Sequence, residues 1–205
     1  MKLHNYFRSS ASFRVRIALA LKGLDYEYVP VQLVKDEQLA APYVNLSRTG
    51  LVPVLEDGEA AITQSLAIVE YLDETHPAPP LLPGSALDRA RIRALALDVA
   101  CEIHPLNNLR VLRYLVRDMG VSDDNKDRWY RHWVEIGLQA VERRLAGDAA
   151  TGRFCHADTP TLADIALEPQ IFNAQRFDCD LAPVPTVMRV FGECMQLDAF
   201  VKTQP

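Results

Sequence analysis

The chain has 205 residues, of which 49% are hydrophobic, so it can form one large domain or two small domains with substantial cores. Its formal net charge of −5 excludes a general basic surface for nucleic acid or anionic membranes, and no apolar run reaches membrane-spanning length. The four cysteines form no C-x-x-C pair and no Cys/His cluster at zinc spacing, so we expect no metal site. We therefore expect a cytoplasmic protein with reduced, mostly buried thiols.

The first 76 residues alternate between strand and helix patterns. The segments with strand patterns are 3–7, 26–31, 52–56 and 60–62. The segments with helical patterns are 13–22, 35–41 and 65–74. A strand–helix–strand connection favours a parallel pair, and the hairpin signal Asp57-Gly58 adds antiparallel strands. This order predicts a small mixed sheet covered by helices.

Prolines crowd the next segment, Pro77-Ala78-Pro79-Pro80-Leu81-Leu82-Pro83-Gly84, which can form neither helix interior nor central strand. We therefore predict a first domain at 1–76, a linker at 77–87 and a second domain at 88–205. The second domain is predicted to be all helical. Its periodic stretches are 88–119 with a possible break near Pro105, 123–145, a helix from Thr161, and one or two helices in 184–201. Thr161-Leu162-Ala163-Asp164 has the form of a capping box, with Asp in place of Glu.

A serine-rich turn, Arg8-Ser9-Ser10-Ala11-Ser12, stands between the first strand and the first helix. The unpaired N–H groups and the positive dipole end of a helix N-terminus favour an anion there. A single serine is enough to cap a helix. Because this turn has three serines and an arginine, it is a candidate site as well as a cap.

Two other turns allow both a structural and a functional interpretation. Pro53 begins a strand, where an ordinary trans bond is tolerated, whereas a cis bond would turn the N–H and C=O of Val52 outward. Ser65 begins a helix and can simply cap it. Alternatively, its hydroxyl and the helix N–H groups bind a ligand carboxylate, with the amide of Gln64 beside them.

These three turns together resemble, in order and spacing, the thioredoxin-like domain of cytosolic glutathione transferases. The stretches 8–23 and 64–72 are similar to the zeta class, whose usual signature is S-S-C-S followed by a nearly identical helix. The resemblance extends over essentially the whole chain. It implies glutathione transferase architecture, with an α/β thioredoxin-like N-terminal domain that binds glutathione and an all-α C-terminal domain that binds substrate. It also implies a homodimer.

The resemblance implies roles for the residues of the first two turns. Ser9 matches the serine that hydrogen-bonds the glutathione sulfur, and Ser10 is its neighbour in the turn. Val52 would pair with the cysteinyl backbone of glutathione, with Pro53 cis. A hydroxyl donor at the positive end of a helix lowers the pKa of a thiol, and the thiolate is the reactive form.

The other implied glutathione contacts lie further along the first domain. Gln64 and Ser65 would hold the γ-glutamyl end, and Gln38 and Lys35 are candidates for the glycyl carboxylate. The chain departs from the zeta signature at Ala11, where the signature has cysteine. Because alanine cannot act as a nucleophile, the chemistry must rely on the sulfur of glutathione itself.

A second cluster lies in the helical half, in His104-Pro105-Leu106-Asn107-Asn108-Leu109-Arg110. It resembles a stretch of the bacterial isomerases of this class that act on maleyl keto acids, and so does the segment around Arg176. His104 and Asn108 are also candidate glutathione contacts. Structural alternatives are a His104 that caps or kinks the helix beside Pro105, and arginines on a solvated surface. Asn108 and Arg110 share no face of an ideal helix, although a break near Pro105 could bring both toward one site.

Arg8, His104, Arg110 and Arg176 would be an unusual lining for a pocket that accepts apolar electrophiles. They suit a small substrate with two carboxylates, which arginine binds well and which a local basic cluster attracts. We therefore predict glutathione-dependent cis–trans isomerisation of a maleyl diketo acid in aromatic compound catabolism. The substrate is maleylpyruvate or maleylacetoacetate, and the added Arg110 favours the shorter maleylpyruvate without excluding the other.

In this hypothesis the thiolate of glutathione adds reversibly to the cis double bond, which can then rotate, so glutathione is a cofactor and is not consumed. Ser9 and Ser10 would stabilise the thiolate, and an arginine or His104 the developing enolate. Two alternatives stay open. One is a general glutathione transferase or peroxidase, and the other is a non-enzymatic module in which the fold serves protein association.

Overall fold

The computed structural model describes all 205 residues, and their contacts group into two compact units. The first unit contains Met1–Leu82 and Leu197–Pro205, and the second contains Pro83–Gln196. The sequence patterns predicted one helical domain over 88–205, so the grouping of the last segment with the first unit differs from that prediction. Its physical basis is long-range packing, which helical periodicity does not encode.

The first unit is built on a four-stranded mixed sheet with strand order β2-β1-β3-β4. Its strands are β1 (Lys2–Asn5), β2 (Glu27–Pro30), β3 (Val54–Asp57) and β4 (Ala60–Thr63). Its helices up to the proline-rich segment are α1 (Ser10–Leu21), α2 (Ala41–Ser47) and α3 (Ser65–Thr75). The β1–β2 pair is parallel and the other two pairs are antiparallel, which confirms the predicted mixed sheet.

The segment between β2 and β3 differs from the prediction of one helical stretch at 35–41. It forms two short 3₁₀ turns, Leu33–Lys35 and Glu37–Leu39, followed by α2. Asp36 separates the two turns because its φ of 57° is left-handed, which ends a right-handed helix. The prediction missed α2, although Pro42 in its first turn is a favourable start signal.

Helix α1 is buried on nearly every side, which its basic residues did not suggest. Arg14 and Lys22 lie off the apolar stripe of the helix, yet they are only 2% and 9% exposed. The Lys22 ammonium donates to the carboxylate of Asp73 at 2.6 Å and to the carbonyls of His76 and Pro79 at 2.7 and 2.6 Å. A buried ammonium requires such partners, so Lys22 ties the end of α1 to α3 and to the proline-rich segment.

The second unit is helical, as predicted. Its α-helices are α4 (Ala86–Leu97), α5 (Leu109–Arg117), α6 (Asp123–Ala146), α7 (Leu162–Arg176) and α8 (Pro185–Cys194). A π-helical turn, Asp98–Ile103, and a 3₁₀ turn, His104–Asn107, separate α4 from α5, which confirms the break near Pro105. The last helix, α9 (Asp198–Val201), belongs to the first unit. None of the helices combines the length and the apolarity needed to cross a bilayer.

The capping box before α7 is present as predicted. The buried carboxylate of Asp164 accepts hydrogen bonds from the N–H and the hydroxyl of Thr161, both at 2.8 Å. It also accepts the N–H of Cys155 at 2.7 Å, so it anchors the preceding loop to the helix start. The box therefore positions a buried helix.

The four thiols are free, and they are less uniformly buried than predicted. Cys155 and Cys194 are buried, Cys179 is half-buried and Cys101 is exposed. Burial raises the pKa of Cys155 and Cys194 well above the usual thiol range, and that of Cys179 to about 12. These three thiols stay protonated at neutral pH.

Candidate functional site

The register of the sheet brings the three predicted turns to one edge. His4 of β1 pairs with Val54 of β3, and Val54 pairs with Thr63 of β4. This row of residues lies near the end of β1, at the start of β3 and at the end of β4, because β3 runs antiparallel to both neighbours. The turns that follow β1, precede β3 and follow β4 therefore lie at the same edge of the sheet.

Ser9 is the N-cap of α1, with φ −74° and ψ 120°. Its hydroxyl oxygen accepts the N–H of Ser12 at 3.2 Å, and its own N–H donates to the carbonyl of Tyr6 at 3.0 Å. The cap uses an acceptor lone pair of the hydroxyl, so the hydroxyl hydrogen can still donate to a ligand. The capping and the functional interpretations of Ser9 are thus compatible.

The neighbours of Ser9 differ in exposure. Ser10 is the first residue of α1 and is buried, whereas Ala11 is half-buried. Arg8 is exposed, and its guanidinium lies 5.1 Å from the centroid of the Phe7 ring. The structure therefore places Ser9 and Ser10 at the helix terminus and leaves Arg8 on the surface beside it.

The peptide bond between Val52 and Pro53 is cis, the alternative that the resemblance favours. Neither the N–H nor the C=O of Val52 takes part in a backbone hydrogen bond of this chain. Its side chain packs against a cluster that includes Tyr43, and the Tyr43 hydroxyl donates to the carbonyl of Leu51 at 2.8 Å. The main chain of Val52 is thus held in place while its polar groups stay available.

Ser65 does not occupy the N-cap position of α3, because that position belongs to Gln64. Gln64 is the N-cap residue of α3, with φ 68° and ψ 113° and no side-chain cap. A left-handed φ is uncommon outside glycine and often marks a functional constraint. Ser65 is the first helical residue, and its buried hydroxyl accepts a hydrogen bond from Arg14 at 3.2 Å. The simple interpretation of Ser65 as a cap is therefore wrong.

Arg14 is the residue at this edge that the sequence patterns missed. It is almost fully buried, and through Ser65 it joins α1 to the start of α3. No sequence signal marks it, because the stretch also contains Arg16 and Lys22 and a basic residue on a helix is usually solvated. The buried positive charge also lies beside the N-terminus of α3, where an anion is already favoured.

Gln38 follows β2, whose last residue Pro30 pairs with Asn5 at the same edge of the sheet. Its side chain is buried, and its amide nitrogen donates to the carboxylate of Asp36 at 3.3 Å. The amide oxygen is buried and accepts no hydrogen bond within the chain. An unpartnered buried acceptor is costly, so this oxygen is suited to a ligand donor. Lys35, by contrast, is exposed.

In the second unit the structure brings His104 and Asn108 together. The side-chain nitrogen of Asn108 lies 3.3 Å from Nε2 of His104. The side-chain oxygen of Asn108 accepts the backbone N–H of Arg110 at 3.1 Å. Asn108 is therefore both the N-cap of α5 and a partner of the imidazole. Trp129 of α6 donates to the carbonyl of Leu106 at 2.7 Å and anchors this segment.

The two candidate arginines of the second unit, Arg110 and Arg176, are both exposed. Arg176 ends α7, where it donates to the side-chain oxygen of Asn173 at 3.4 Å and lies 5.2 Å from the Phe177 ring centroid. Phe177 stacks on Tyr130 of α6 at 3.9 Å between centroids. Arg110 lies in the first turn of α5. Arg176 is thus positioned by aromatic packing, whereas the Arg110 side chain is a solvated cation.

A mixed thioredoxin-like sheet with helices, followed by an all-α unit, is the architecture of a glutathione transferase. A model of the glutathione S-transferase N-terminal domain matches residues 3–80. A protein named probable maleylacetoacetate isomerase, from Vibrio cholerae, is 47% identical to this chain. That alignment covers 99% of this chain and 94% of the relative.

Two solved structures are similar over the full length of the chain. A holo structure of maleyl pyruvate isomerase, described as a bacterial zeta-class glutathione transferase, is 46% identical with a TM-score of 0.97, covering 100% and 97% of the two chains. Maleylacetoacetate isomerase from Methylobacterium extorquens, with bound malonate and GSH, is 40% identical with a TM-score of 0.97, covering 100% and 96%. The chain belongs to the zeta class of the glutathione S-transferase family.

Proposed function

We propose that this chain is a glutathione-dependent cis–trans isomerase that converts a maleyl diketo acid, maleylpyruvate or maleylacetoacetate, into its fumaryl isomer. The observation that carries the proposal is the geometry of Ser9, whose hydroxyl caps α1 and keeps its hydrogen available at the shared sheet edge. Relatives named as maleylacetoacetate or maleylpyruvate isomerases, one with bound GSH and malonate, support this choice over general conjugation.

The residues at the sheet edge fit a tripeptide cofactor. Val52 offers a peptide N–H and C=O that the chain leaves without backbone partners, which suits the cysteinyl residue of glutathione. Gln38 offers a buried acceptor oxygen without a partner, which suits the glycyl N–H as a donor and not the glycyl carboxylate. Gln64 and Ser65 lie at the N-terminus of α3, where a γ-glutamyl carboxylate would be favoured. The polar groups that the fold leaves available thus match the polar groups of glutathione.

Bound glutathione supplies a thiolate that can add reversibly to a conjugated double bond and so permit rotation about it. Ser9 would donate its hydroxyl hydrogen to that sulfur, while the N-terminus of α1 and Ser10 stabilise negative charge. Ala11 contributes no thiol. The protein therefore acts by orienting the cofactor and by stabilising charge.

The arginines would bind the two carboxylates of the substrate, because a guanidinium matches a carboxylate in shape and charge. Arg8 belongs to the turn that holds Ser9, whereas Arg110 and Arg176 belong to the second unit. The imidazole of His104, oriented by Asn108, is a candidate donor to the developing enolate oxygen or to glutathione. The presence of Arg110 favours maleylpyruvate, which is the shorter substrate.

Steady-state kinetics with maleylpyruvate and with maleylacetoacetate, each with and without glutathione, test this function. We expect isomerisation that depends on glutathione and leaves its concentration unchanged. An aryl halide serves as the control substrate for general conjugation. Efficient conjugation of the halide without isomerisation of either diketo acid would contradict the proposal.

We also propose that the chain is a cytoplasmic homodimer, as the family resemblance implies. Light scattering combined with size-exclusion chromatography measures the mass in solution. A mass of about twice the 23.0 kDa of one chain is the expected result, and a monomer at micromolar concentration would contradict the dimer.

A further inference from the structure

Arg16, on α1, is a buried cation that the proposed reaction leaves without a role. It is 5% exposed, and its guanidinium donates to three separate parts of the first unit. The acceptors are the side-chain oxygen of Asn5 at 3.1 Å, the carbonyl of Phe7 at 2.9 Å, and the carbonyl of Thr203 at 3.0 and 3.2 Å. The rigid fork of the guanidinium allows one side chain to hold all three.

The Phe7 carbonyl lies inside the turn that presents Ser9. A hydrogen bond from the Ser9 N–H to the Tyr6 carbonyl closes this turn, and the backbone supplies no donor to the Phe7 carbonyl within it. The side chains of Phe7 and Arg8 are exposed, and the Phe7 ring lies 5.1 Å from the Arg8 guanidinium and 4.9 Å from the ring of the buried Tyr6. Arg16 is therefore the hydrogen-bond donor that joins the main chain in the middle of the turn to the buried part of the unit.

The segment Leu197–Pro205 contains Thr203, whose carbonyl also accepts from the Arg16 guanidinium. Phe200 of α9 is fully buried, and the Thr203 hydroxyl donates to the carbonyl of Ala199 at 2.7 Å. These contacts hold the Thr203 carbonyl where it accepts two hydrogen bonds from Arg16. A segment remote in sequence thus restrains the same guanidinium that holds the Ser9 turn.

We infer that Arg16 is a positioning residue that, held by the segment Leu197–Pro205, fixes the Phe7 carbonyl and thereby the direction of the Ser9 hydroxyl toward the glutathione sulfur. The inference rests on the proposed function, because it concerns the same site. Arg16 acts through the Phe7 carbonyl, and Asn5 at the end of β1 fixes the plane of its guanidinium.

The first test compares Arg16→Met and Arg16→Lys with the unmodified protein. The pKa of the bound glutathione thiol is measured from the ultraviolet absorbance of the thiolate as pH is varied, together with kcat and KM. In Arg16→Met we expect this pKa to rise by roughly one unit and kcat at neutral pH to fall about tenfold, because one unit is a tenfold change. The fall in kcat should recover as pH is raised.

In the same variant the KM for glutathione should change little, because Val52, Gln64 and Ser65 are unaltered. Arg16→Lys keeps the charge but lacks the fork, so it should rescue part of the loss. A purely structural role predicts a lower melting temperature with an unchanged thiol pKa and an unchanged kcat per folded molecule. That result would overturn the inference.

The second test addresses the segment Leu197–Pro205. Deleting residues 203–205 removes the acceptor at position 203 and should raise the thiol pKa. Deleting only Gln204 and Pro205 keeps an acceptor oxygen there, as part of the new terminal carboxylate, and should not raise it. Lys202→Ala is a further control, because Lys202 is exposed and pairs only with Asp198 in the same helical turn. Equal effects of the two deletions would refute the role of the segment.

The proposed function and the positioning role of Arg16 would be contradicted by different results. If the unmodified protein binds no glutathione in calorimetry, the proposed function is wrong and the inference falls with it. If the unmodified protein binds glutathione and isomerises its substrate while Arg16→Met has the same thiol pKa and kcat, only the inference is wrong.

Discussion

The sheet edge of the first unit and the segment 98–110 of the second unit hold their functional candidates in different ways. At the sheet edge the candidate groups are helix termini, main-chain groups and buried side chains, fixed by contacts such as that between Arg14 and Ser65. In the second unit His104 and Asn108 hold each other, whereas Arg110 is exposed. A thiol and a peptide backbone need fixed partners, while two carboxylates can be bound by long, solvated cations. We therefore expect substitutions in the two regions to have different kinds of effect: on stability and the use of glutathione in the first unit, and on the substrate in the second unit.

The largest expected effect lies in the first unit, at the buried ion pair between the C-terminal ends of α1 and α3. Lys22→Met leaves the Asp73 carboxylate without its ammonium, and breaking a buried ion pair costs about 3–5 kcal/mol. We expect the free energy of unfolding, measured in urea, to fall by that amount. The exposed pair of Lys202 with Asp198 supplies the control, because Lys202→Met should cost under about 1 kcal/mol. Equal losses from the two substitutions would contradict the assignment of Lys22 as a buried tie.

Ser9→Ala tests the chemistry of the sheet edge. Loss of one preorganised donor to developing charge lowers kcat about 100-fold or more, whereas loss of the helix cap costs about 1 kcal/mol of stability. Ser9→Thr retains a hydroxyl and should recover much of the activity. Measuring kcat at a temperature where each variant is fully folded separates the two effects. A kcat within a factor of two or so of the unmodified value in Ser9→Ala would remove Ser9 from the mechanism.

In the second unit, Arg110→Ala and Arg176→Ala should act on the substrate alone. Each removes a charge-assisted hydrogen bond, so we expect kcat/KM for the diketo acid to fall about tenfold while the KM for glutathione stays constant. Replacement by lysine keeps the charge and serves as the matched control. If both alanine variants keep full activity, the arginines are surface residues, and general transferase activity becomes the better interpretation.

The smallest effect concerns the unpartnered oxygen of Gln38. Gln38→Met replaces it with an apolar group of similar size, which should leave the free energy of unfolding unchanged or raise it by under about 1 kcal/mol. The same change should raise the Kd for glutathione roughly five- to tenfold, because a hydrogen bond to the ligand is lost. Chemical denaturation and calorimetry measure the two quantities. A large loss of stability with unchanged affinity would show that Gln38 has only a structural role.

Local patterns were sufficient to predict most of the fold. Strand and helix periodicity, the Asp57-Gly58 turn and the proline-rich segment predicted the element order of the first unit and its mixed sheet, which the structure confirms. The helix α2 was missed because its short sequence carries little periodicity. The placement of α9 in the first unit was missed because it depends on packing between α9 and α1, which are far apart in sequence.

The candidate site was predictable where a turn carries its own signal. The serines after β1 and the Gln64-Ser65 pair could be found from helix-start patterns and resemblance. The buried state of Arg14 and Arg16 could not, because a basic residue on a helix is usually solvated and only tertiary packing supplies its acceptors. The left-handed φ of Gln64 could not be predicted from the sequence either, since glutamine has no preference for it.

The uneven burial of the cysteines has a practical consequence for labelling. The Ser9 turn has Ala11 and therefore no thiol, and burial keeps Cys155 and Cys194 protonated. A maleimide should therefore react with Cys101, which is the exposed thiol. Cys101 lies in the π-helical turn that leads directly to His104. A fluorophore attached there would report on motions of the His104 segment during turnover while leaving the Ser9 turn chemically untouched.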